Sequence, residues 1–162
     1  MNNFITENTP IDLTNHKPKY SKEERQKQFA VATYQEIKYY IKNGSKGDLN
    51  LNGAPITKLP DGLKVGGFLN LNGAPIAELP DGLKVSGSLN LYGTPITKLP
   101  DGLKVGGYLD LGNTPITKLP DGLKVDGYLN LSDTPLSKKY TKEQLKQMLP
   151  GVKKIFTLNN NK

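Results

Sequence analysis

A strict 20-residue repeat constrains this chain more than any other feature of its sequence. The segment GAPITKLPDGLKV recurs three more times almost unchanged, and a weaker copy follows at Asp133. The four strong copies lie at 53–65, 73–85, 93–105 and 113–125. A Leu-x-Leu pair precedes each copy: Leu49/Leu51, Leu69/Leu71, Leu89/Leu91, Leu109/Leu111 and Leu129/Leu131. Such periods are typical of solenoids, so we predict five stacked repeats over residues 47–137.

Each repeat combines one short strand with a series of turns. The two leucines alternate with polar residues, which is the pattern of a half-buried strand. Pro55 lacks an N–H, and the sequence LPDG at 59–62 favours a type I turn. The side chains predicted to point inward are Leu49, Leu51, Ile56, Leu59, Leu63, Val65 and their equivalents. The predicted fold is a repeat solenoid with a parallel β-sheet on one face, strands about 4.8 Å apart, and turn-rich other sides.

The pattern of residues 99–116 (LPDGLKVGGYLDLGNTPI) resembles the leucine-rich repeat in its short bacterial form. Thr114 stands where that family usually has asparagine. Glycine replaces the first leucine of the strand motif, and Val105 supplies the buried side chain one position earlier. Similar repeats occur in phage and bacterial proteins. The resemblance therefore implies a leucine-rich-repeat solenoid and would suit a phage-type inhibitor of a host factor, such as a defence complex.

Residues 21–46 are predicted to form an N-terminal helical cap. Ser21 and Glu24 have the spacing of a capping box, and Asn43-Gly44 supplies a stop, which gives a helix over about 22–42. Its apolar stripe consists of Phe29, Ala30, Thr33, Tyr34, Ile37, Tyr40 and Ile41. We expect this stripe to cover the open edge of the first coil. Residues 1–20 are predicted to be either a flexible arm or a degenerate coil.

Residues 138–162 are predicted to close the other end with a helix and a strand. Thr141 and Gln144 form a second capping box, which begins a helix that runs to about Leu149. Residues 152–158 (VKKIFTL) have the composition of a strand, expected to pair beside Leu129–Leu131.

Composition argues against catalysis. The chain has no cysteine, and its one histidine, His16, lies in a polar N-terminal stretch. Disulfides, Cys/His zinc sites, thiol nucleophiles and Ser/His/Asp sets are therefore excluded, and no phosphate- or dinucleotide-binding glycine motif is present. We expect no enzyme activity, no catalytic residue, no metal site and no cofactor. With no apolar run of about 20 residues and no signal peptide, we expect a cytoplasmic protein without membrane contact, in the host cytoplasm if viral.

The net charge of +7 is concentrated at the C-terminus. Residues 47–137 carry seven basic and nine acidic side chains, whereas 138–162 carry seven basic and one acidic. The candidate basic patch comprises Lys138, Lys139, Lys142, Lys146, Lys153 and Lys154. A second lysine series, at 64, 84, 104 and 124, lies three residues from aspartates, which are expected to compensate it. Nucleic-acid binding through the C-terminal lysines is therefore an alternative function.

The strand positions that alternate with the leucines form the candidate binding face. They vary between repeats while the turns barely change, and four of the twelve aromatic residues, Phe68, Tyr92, Tyr108 and Tyr128, gather there. The predicted partner-binding residues are Phe68, Asn70, Asn72, Asn90, Tyr92, Tyr108, Asp110, Tyr128 and Asn130. Exposed aromatics among amides are typical of protein-binding surfaces. Packing or hydrogen-bonded amide ladders would also explain them. A protein partner is the leading prediction, and a self-associating structural subunit is the third alternative.

Overall fold

The computed structural model describes residues 20–157, so the segment predicted as an arm or degenerate coil lies almost wholly outside the described residues. The helices are α1 (Lys22–Lys42), α2 (Pro135–Lys139) and α3 (Lys142–Met148). One sheet contains β1 (Leu49–Asn50), β3 (Leu69–Asn70), β5 (Leu89–Asn90), β7 (Leu109–Asp110), β9 (Tyr128–Asn130) and β10 (Lys154–Phe156). The other contains β2 (Lys64–Val65), β4 (Lys84–Val85), β6 (Lys104–Val105) and β8 (Lys124–Val125).

The two sheets are the two sides of a parallel solenoid of about four turns. Each strand pairs with its equivalent 20 residues later, so that Leu49 lies opposite Leu69 and Val65 opposite Val85. The predicted solenoid with capped ends is confirmed. The second sheet was not predicted: the sides away from the Leu-x-Leu strands include four Lys-Val strands as well as turns.

The core is a set of columns, each filled by the same residue type in successive coils. The leucines of the Leu-x-Leu strands are at most 2 % exposed, and the isoleucine and valine columns are buried with them. Every side chain predicted to point inward in the first repeat is buried. A single coil cannot bury these side chains by itself. Their apolar surface is removed from water only when neighbouring coils stack on it.

Glycine occupies the bend before each Leu-x-Leu strand because the coils approach closely there. Gly67, Gly87, Gly107 and Gly127 each donate their backbone N–H to the carbonyl of the glycine one coil earlier, at 2.7–3.1 Å. A Cβ built on Gly87 would lie 2.7 Å from the backbone carbon and oxygen of Gly67. This glycine column permits the close approach of successive coils, which the two sheets also hold together.

Three buried threonines bond the backbone of their own coil. The hydroxyls of Thr94, Thr114 and Thr134 are buried and donate to the carbonyl three residues earlier, at 2.6–2.8 Å. The first two coils have Ala54 and Ala74 at the same position and pack there without a hydroxyl. A coil can therefore form without this hydrogen bond, which adds to its stability where threonine is present.

Replacing Thr114 with alanine is expected to lower the free energy of unfolding by about 2 kcal/mol, because one buried hydrogen bond and one buried methyl group are lost. Thr117→Ala, at an exposed position of the same coil, is the control and should change stability by less than about 0.5 kcal/mol. Urea denaturation followed by circular dichroism measures both. Equal midpoints for the two variants would show that the hydroxyl contributes nothing.

The N-terminal helix has the predicted bounds but covers less of the first coil than expected. The Ser21–Glu24 capping box is present, and Ile37 joins the core. The Tyr40 hydroxyl lies 2.9 Å from the carbonyl of Gly47 and accepts from the Gly66 N–H, which ties the helix to the coil. The expectation was wrong for Phe29, Tyr34 and Ile41, which stay at least 40 % exposed. None of the helices in the described part of the chain is long and apolar enough to cross a bilayer.

The C-terminal cap begins earlier than predicted. α3 and β10 are confirmed, and β10 pairs in parallel with β9. The additional helix α2 begins at Pro135, inside the predicted fifth repeat, with Thr134 as its N-cap. The last repeat therefore turns into the cap after its strand, and Leu136, Leu145 and Ile155 bury the end of the core.

Candidate functional site on the outer sheet face

The outer face of the six-stranded sheet carries three columns of side chains. The first column is Asp48, Phe68, Ser88, Tyr108, Tyr128 and Lys154. The second is Asn50, Asn70, Asn90, Asp110, Asn130 and Phe156. The third, directly after the strands, is Asn52, Asn72, Tyr92, Gly112 and Ser132. All nine residues predicted to bind a partner belong to these columns.

The second column is built into the fold. In each coil the side-chain oxygen of its asparagine or aspartate accepts a hydrogen bond from the backbone N–H two residues later, at 2.9–3.3 Å. These are Asx turns, which end the strand and direct the chain into the next bend. Asn70, Asn90, Asp110 and Asn130 therefore have a structural role whether or not a partner contacts them.

Four aromatic side chains of this face lie on or beside the last four strands of the sheet, β5, β7, β9 and β10. Tyr92 is 43 % and Tyr128 48 % exposed, and the Tyr128 ring packs edge-on against Phe156 with centroids 6.1 Å apart. Tyr92, Tyr108, Tyr128 and Phe156 are called the aromatic cluster below. Phe68 lies outside it, because Ser88 separates Phe68 from Tyr108 in the first column.

Two members of this surface come from β10 rather than from the repeats. Lys154 lies opposite Tyr128, and its ammonium is 4.8 Å from the centroid of the Phe156 ring, within range of a cation–π contact. Lys154, predicted as part of the basic patch, therefore adjoins the sheet face. Sequence reasoning missed Phe156. The signal was available, since an inward Ile155 in a strand beside β9 turns Phe156 outward.

Asp110 organises the centre of the cluster. Its Oδ1 accepts from the Gly112 N–H and from the Asn130 side-chain amide, both at 2.9 Å, and its Oδ2 accepts from the Tyr108 hydroxyl at 3.2 Å. Burial raises the pKa of Tyr108 to about 12, and the neighbouring Asp110 charge and its hydrogen bond act in the same direction. The phenol therefore stays protonated and keeps donating to the carboxylate at neutral pH.

Gly112 leaves room for this arrangement. A Cβ at this position would lie 2.9 Å from the Asn130 amide nitrogen, 3.0 Å from Cδ2 of Tyr92 and 3.1 Å from Oδ1 of Asp110. The Tyr92 ring and the Asp110 carboxylate thus border the same small space. Any side chain at 112 would force at least one of the Asn130, Tyr92 and Asp110 side chains to move.

The Tyr108 phenol is expected to ionise near pH 12, against about 10 for an exposed tyrosine. Because its folded pKa is raised, its contribution to stability is present below pH 10 and is lost as the pH rises through 12. Absorbance at 295 nm, taken as the difference between the protein and Tyr108→Phe, isolates this titration. In Asp110→Asn the pKa should fall yet stay above 10, since burial remains. A difference titration centred near pH 10 in the original protein would contradict this.

The lysines of the predicted basic patch lie on or beside three elements of the C-terminal cap. Its members are Lys138 and Lys139 on α2, Lys142 and Lys146 on α3, and Lys153 and Lys154 at β10. All are exposed, and between described residues none forms an ion pair. The compensation expected for the lysines at 64, 84, 104 and 124 is also not seen as ion pairs. The described part of the chain has one such pair, Lys98 with Glu78 at 3.5 Å.

The described residues contain no group of three or more His, Asp or Glu side chains placed to hold a metal ion. An open concave surface along the Leu-Pro-Asp turns is lined by residues that include Asp81, Asp101, Lys98 and Lys118. These turns occupy a different part of each repeat from the Leu-x-Leu strands that carry the aromatic cluster. Comparisons with family models, with curated proteins and with solved structures found no match.

Proposed function

We propose that this protein is a non-catalytic recognition module that binds a protein partner through the outer sheet face. The observation that carries the proposal is the aromatic cluster, in which Tyr92 and Tyr128 remain nearly half exposed. Aromatic side chains with polar neighbours dominate the binding energy of protein interfaces. The Asx-turn column and the backbone ladder beneath hold these rings on a rigid surface, which lowers the entropy lost on binding.

The resemblance to leucine-rich repeats supports the same function, because the parallel 20-residue coils and alternating buried leucines agree with that type of solenoid. We assign the chain to that type, and we propose that it acts in the cytoplasm as a phage-type inhibitor of a host factor. The second part rests on the resemblance alone. It predicts that the captured partner is a host protein whose activity falls when the complex forms.

The test uses the purified protein as bait in nuclease-treated host lysate, alongside Tyr92→Ala/Tyr128→Ala. The control, Tyr34→Ala/Tyr39→Ala, removes two exposed tyrosines from α1 instead. A stoichiometric protein captured by the original chain and the control, but bound at least about 30-fold more weakly by the cluster variant, is the expected result. Equal capture by both variants, with circular dichroism showing both folded, would refute binding through the cluster.

Nucleic-acid binding is the second candidate, because six lysines of the C-terminal cap are exposed and form no ion pair with another described residue. It predicts an affinity for DNA or RNA that falls steeply with salt and survives loss of Tyr92 and Tyr128. Replacing Lys142, Lys146 and Lys153 with glutamine would abolish it and leave partner capture intact. A structural subunit, the third candidate, predicts concentration-dependent oligomers in sedimentation and no foreign partner.

A further inference from the structure

The fourth coil departs from its neighbours by placing a charge where the fold requires none. Asn50, Asn70, Asn90 and Asn130 each form the Asx turn with an amide oxygen. Asp110 forms the same turn at 2.9 Å. Since a neutral amide serves in the other coils, the negative charge at 110 has no part in making the turn.

The charge on Asp110 is unbalanced within the described residues, because no lysine or arginine nitrogen there lies within 4.0 Å of it. Its two oxygens offer about four acceptor positions, and three are used. Oδ1 takes two donors, whereas Oδ2 takes only the Tyr108 hydroxyl. One acceptor position on Oδ2 therefore remains for an incoming donor.

Two aromatic side chains, Tyr108 and Tyr92, lie beside this carboxylate, and a third, Tyr128, lies on the neighbouring strand. Tyr108 lies just before β7 and its hydroxyl donates to Oδ2, Tyr128 lies on the adjacent strand β9, and Tyr92 borders the space beside Gly112 that Oδ1 also borders. A cation that bonds Oδ2 would lie close to these rings, where cation–π attraction adds to the charge pairing. Lys154 lies one strand beyond Tyr128, and its ammonium contacts the Phe156 ring instead of pairing with Asp110.

We propose that Asp110, Tyr92 and Tyr128 receive the guanidinium group of an arginine side chain from the protein partner. This rests on the proposed function and names the chemistry of its central contact. Arginine fits better than lysine, because a planar guanidinium can donate one N–H to Oδ2 while its flat face stacks on a tyrosine ring. A compact ammonium is more strongly hydrated and cannot stack in this way.

The probe is N-acetyl-argininamide, titrated into the ¹⁵N-labelled protein and followed by NMR. Saturable shifts are expected at the amides of Asp110 and Gly112. The neutral isostere N-acetyl-citrullinamide should give none, and N-acetyl-lysinamide should bind more weakly. Equal shifts from the citrulline compound, equal binding of the lysine compound, or no shifts at the cluster would each overturn the proposal.

Asp110→Asn is the matching variant, because asparagine already forms this turn in four coils. It should bind the arginine probe about tenfold more weakly, the effect of removing one charge-assisted hydrogen bond. Asp48→Asn is the control. This variant removes a charge from the same face, three strands away from Asp110. The asparagine oxygen can still accept the 2.7 Å hydrogen bond that the Phe68 N–H donates to Asp48. Equal weakening in both variants would mean that only overall charge matters, and would overturn the proposal.

The captured partner separates this inference from the proposed function. If Asp110→Asn binds the partner normally while Tyr92→Ala/Tyr128→Ala does not, the sheet face is the recognition site and the guanidinium contact is wrong. If neither variant affects capture, recognition through this face is wrong altogether.

Discussion

Gly87→Ala is expected to destabilise the fold by about 3 kcal/mol or more, the upper part of the range for overpacked sites. The added methyl would lie 2.7 Å from the carbonyl group of Gly67, and the colliding atoms are backbone atoms that cannot rotate away. Relief requires the third coil to move from the second. That movement would lengthen the hydrogen bond from Gly87 to Gly67 and disturb the strand pairing on both sides.

Gly151→Ala is the control for this effect. A Cβ at Gly151 meets no atom within 4 Å, so the substitution should leave stability within about 1 kcal/mol of the original. Urea denaturation of both variants, followed by circular dichroism, measures the difference. Complete loss of the cooperative unfolding transition in Gly87→Ala would mean that this variant does not fold, which is a larger destabilisation in the expected direction. Midpoints that coincide would show that the coils can separate at little cost.

Ile96→Ala is expected to cost about 3–4 kcal/mol, within the range for isoleucine truncations that leave a cavity. Ile96 is 0 % exposed and occupies the position that Ile76 and Ile116 hold in the adjacent coils. The coil spacing is fixed by the glycine column and the two sheets, so the neighbouring side chains cannot close the gap without breaking that spacing.

Ile41→Ala makes the same chemical change at a position that is 42 % exposed on α1. It should cost less than about 1 kcal/mol, because little burial is lost and alanine favours the helix. Thermal and urea unfolding of the two variants give the comparison. A cost at Ile96 as small as that at Ile41 would show that the solenoid relaxes around the missing side chain.

The repeat and its ends were predictable because they depend on local signals that agree with one another. The capping boxes at Ser21 and Thr141 locate α1 and α3, and the alternation around Ile155 locates β10. The second sheet was missed because a Lys-Val strand of two residues is too short to show a period. Its pairing appears only when coils stack in register.

Helix α2 was missed because its Thr134-Pro135 start is shared with coils that do not form a helix there. In those coils the sequence continues to a Leu-Pro-Asp-Gly turn, whose proline disfavours helix before it. After Leu136 that turn is absent, so the Thr134 cap and Pro135 can begin a helix. The Thr134 cap and Pro135 are a recognisable start of a helix, but the repeat pattern favoured another turn of the solenoid at this position.

The variation between repeats located the candidate face, but it did not predict which of its residues hold the others in place. The face residues could be assigned from alternation with the leucines. Predicting the Asx turns would have required the position of a backbone N–H two residues away. Predicting the hydrogen-bonded group of Tyr108, Asp110 and Asn130 would have required the register between coils. Contacts between coils depend on stacking geometry, which the period alone leaves open.

The glycine column also makes the length of this molecule adjustable in fixed steps. Because each coil bonds only to its neighbours and all coils share one register, adding or removing 20 residues would shift everything beyond that point by about 4.8 Å. The distance between the α1 cap and the tyrosines of the sheet face is therefore set by counting coils. Duplication of a single coil could refit the same contact surface to a larger target without redesigning any side chain.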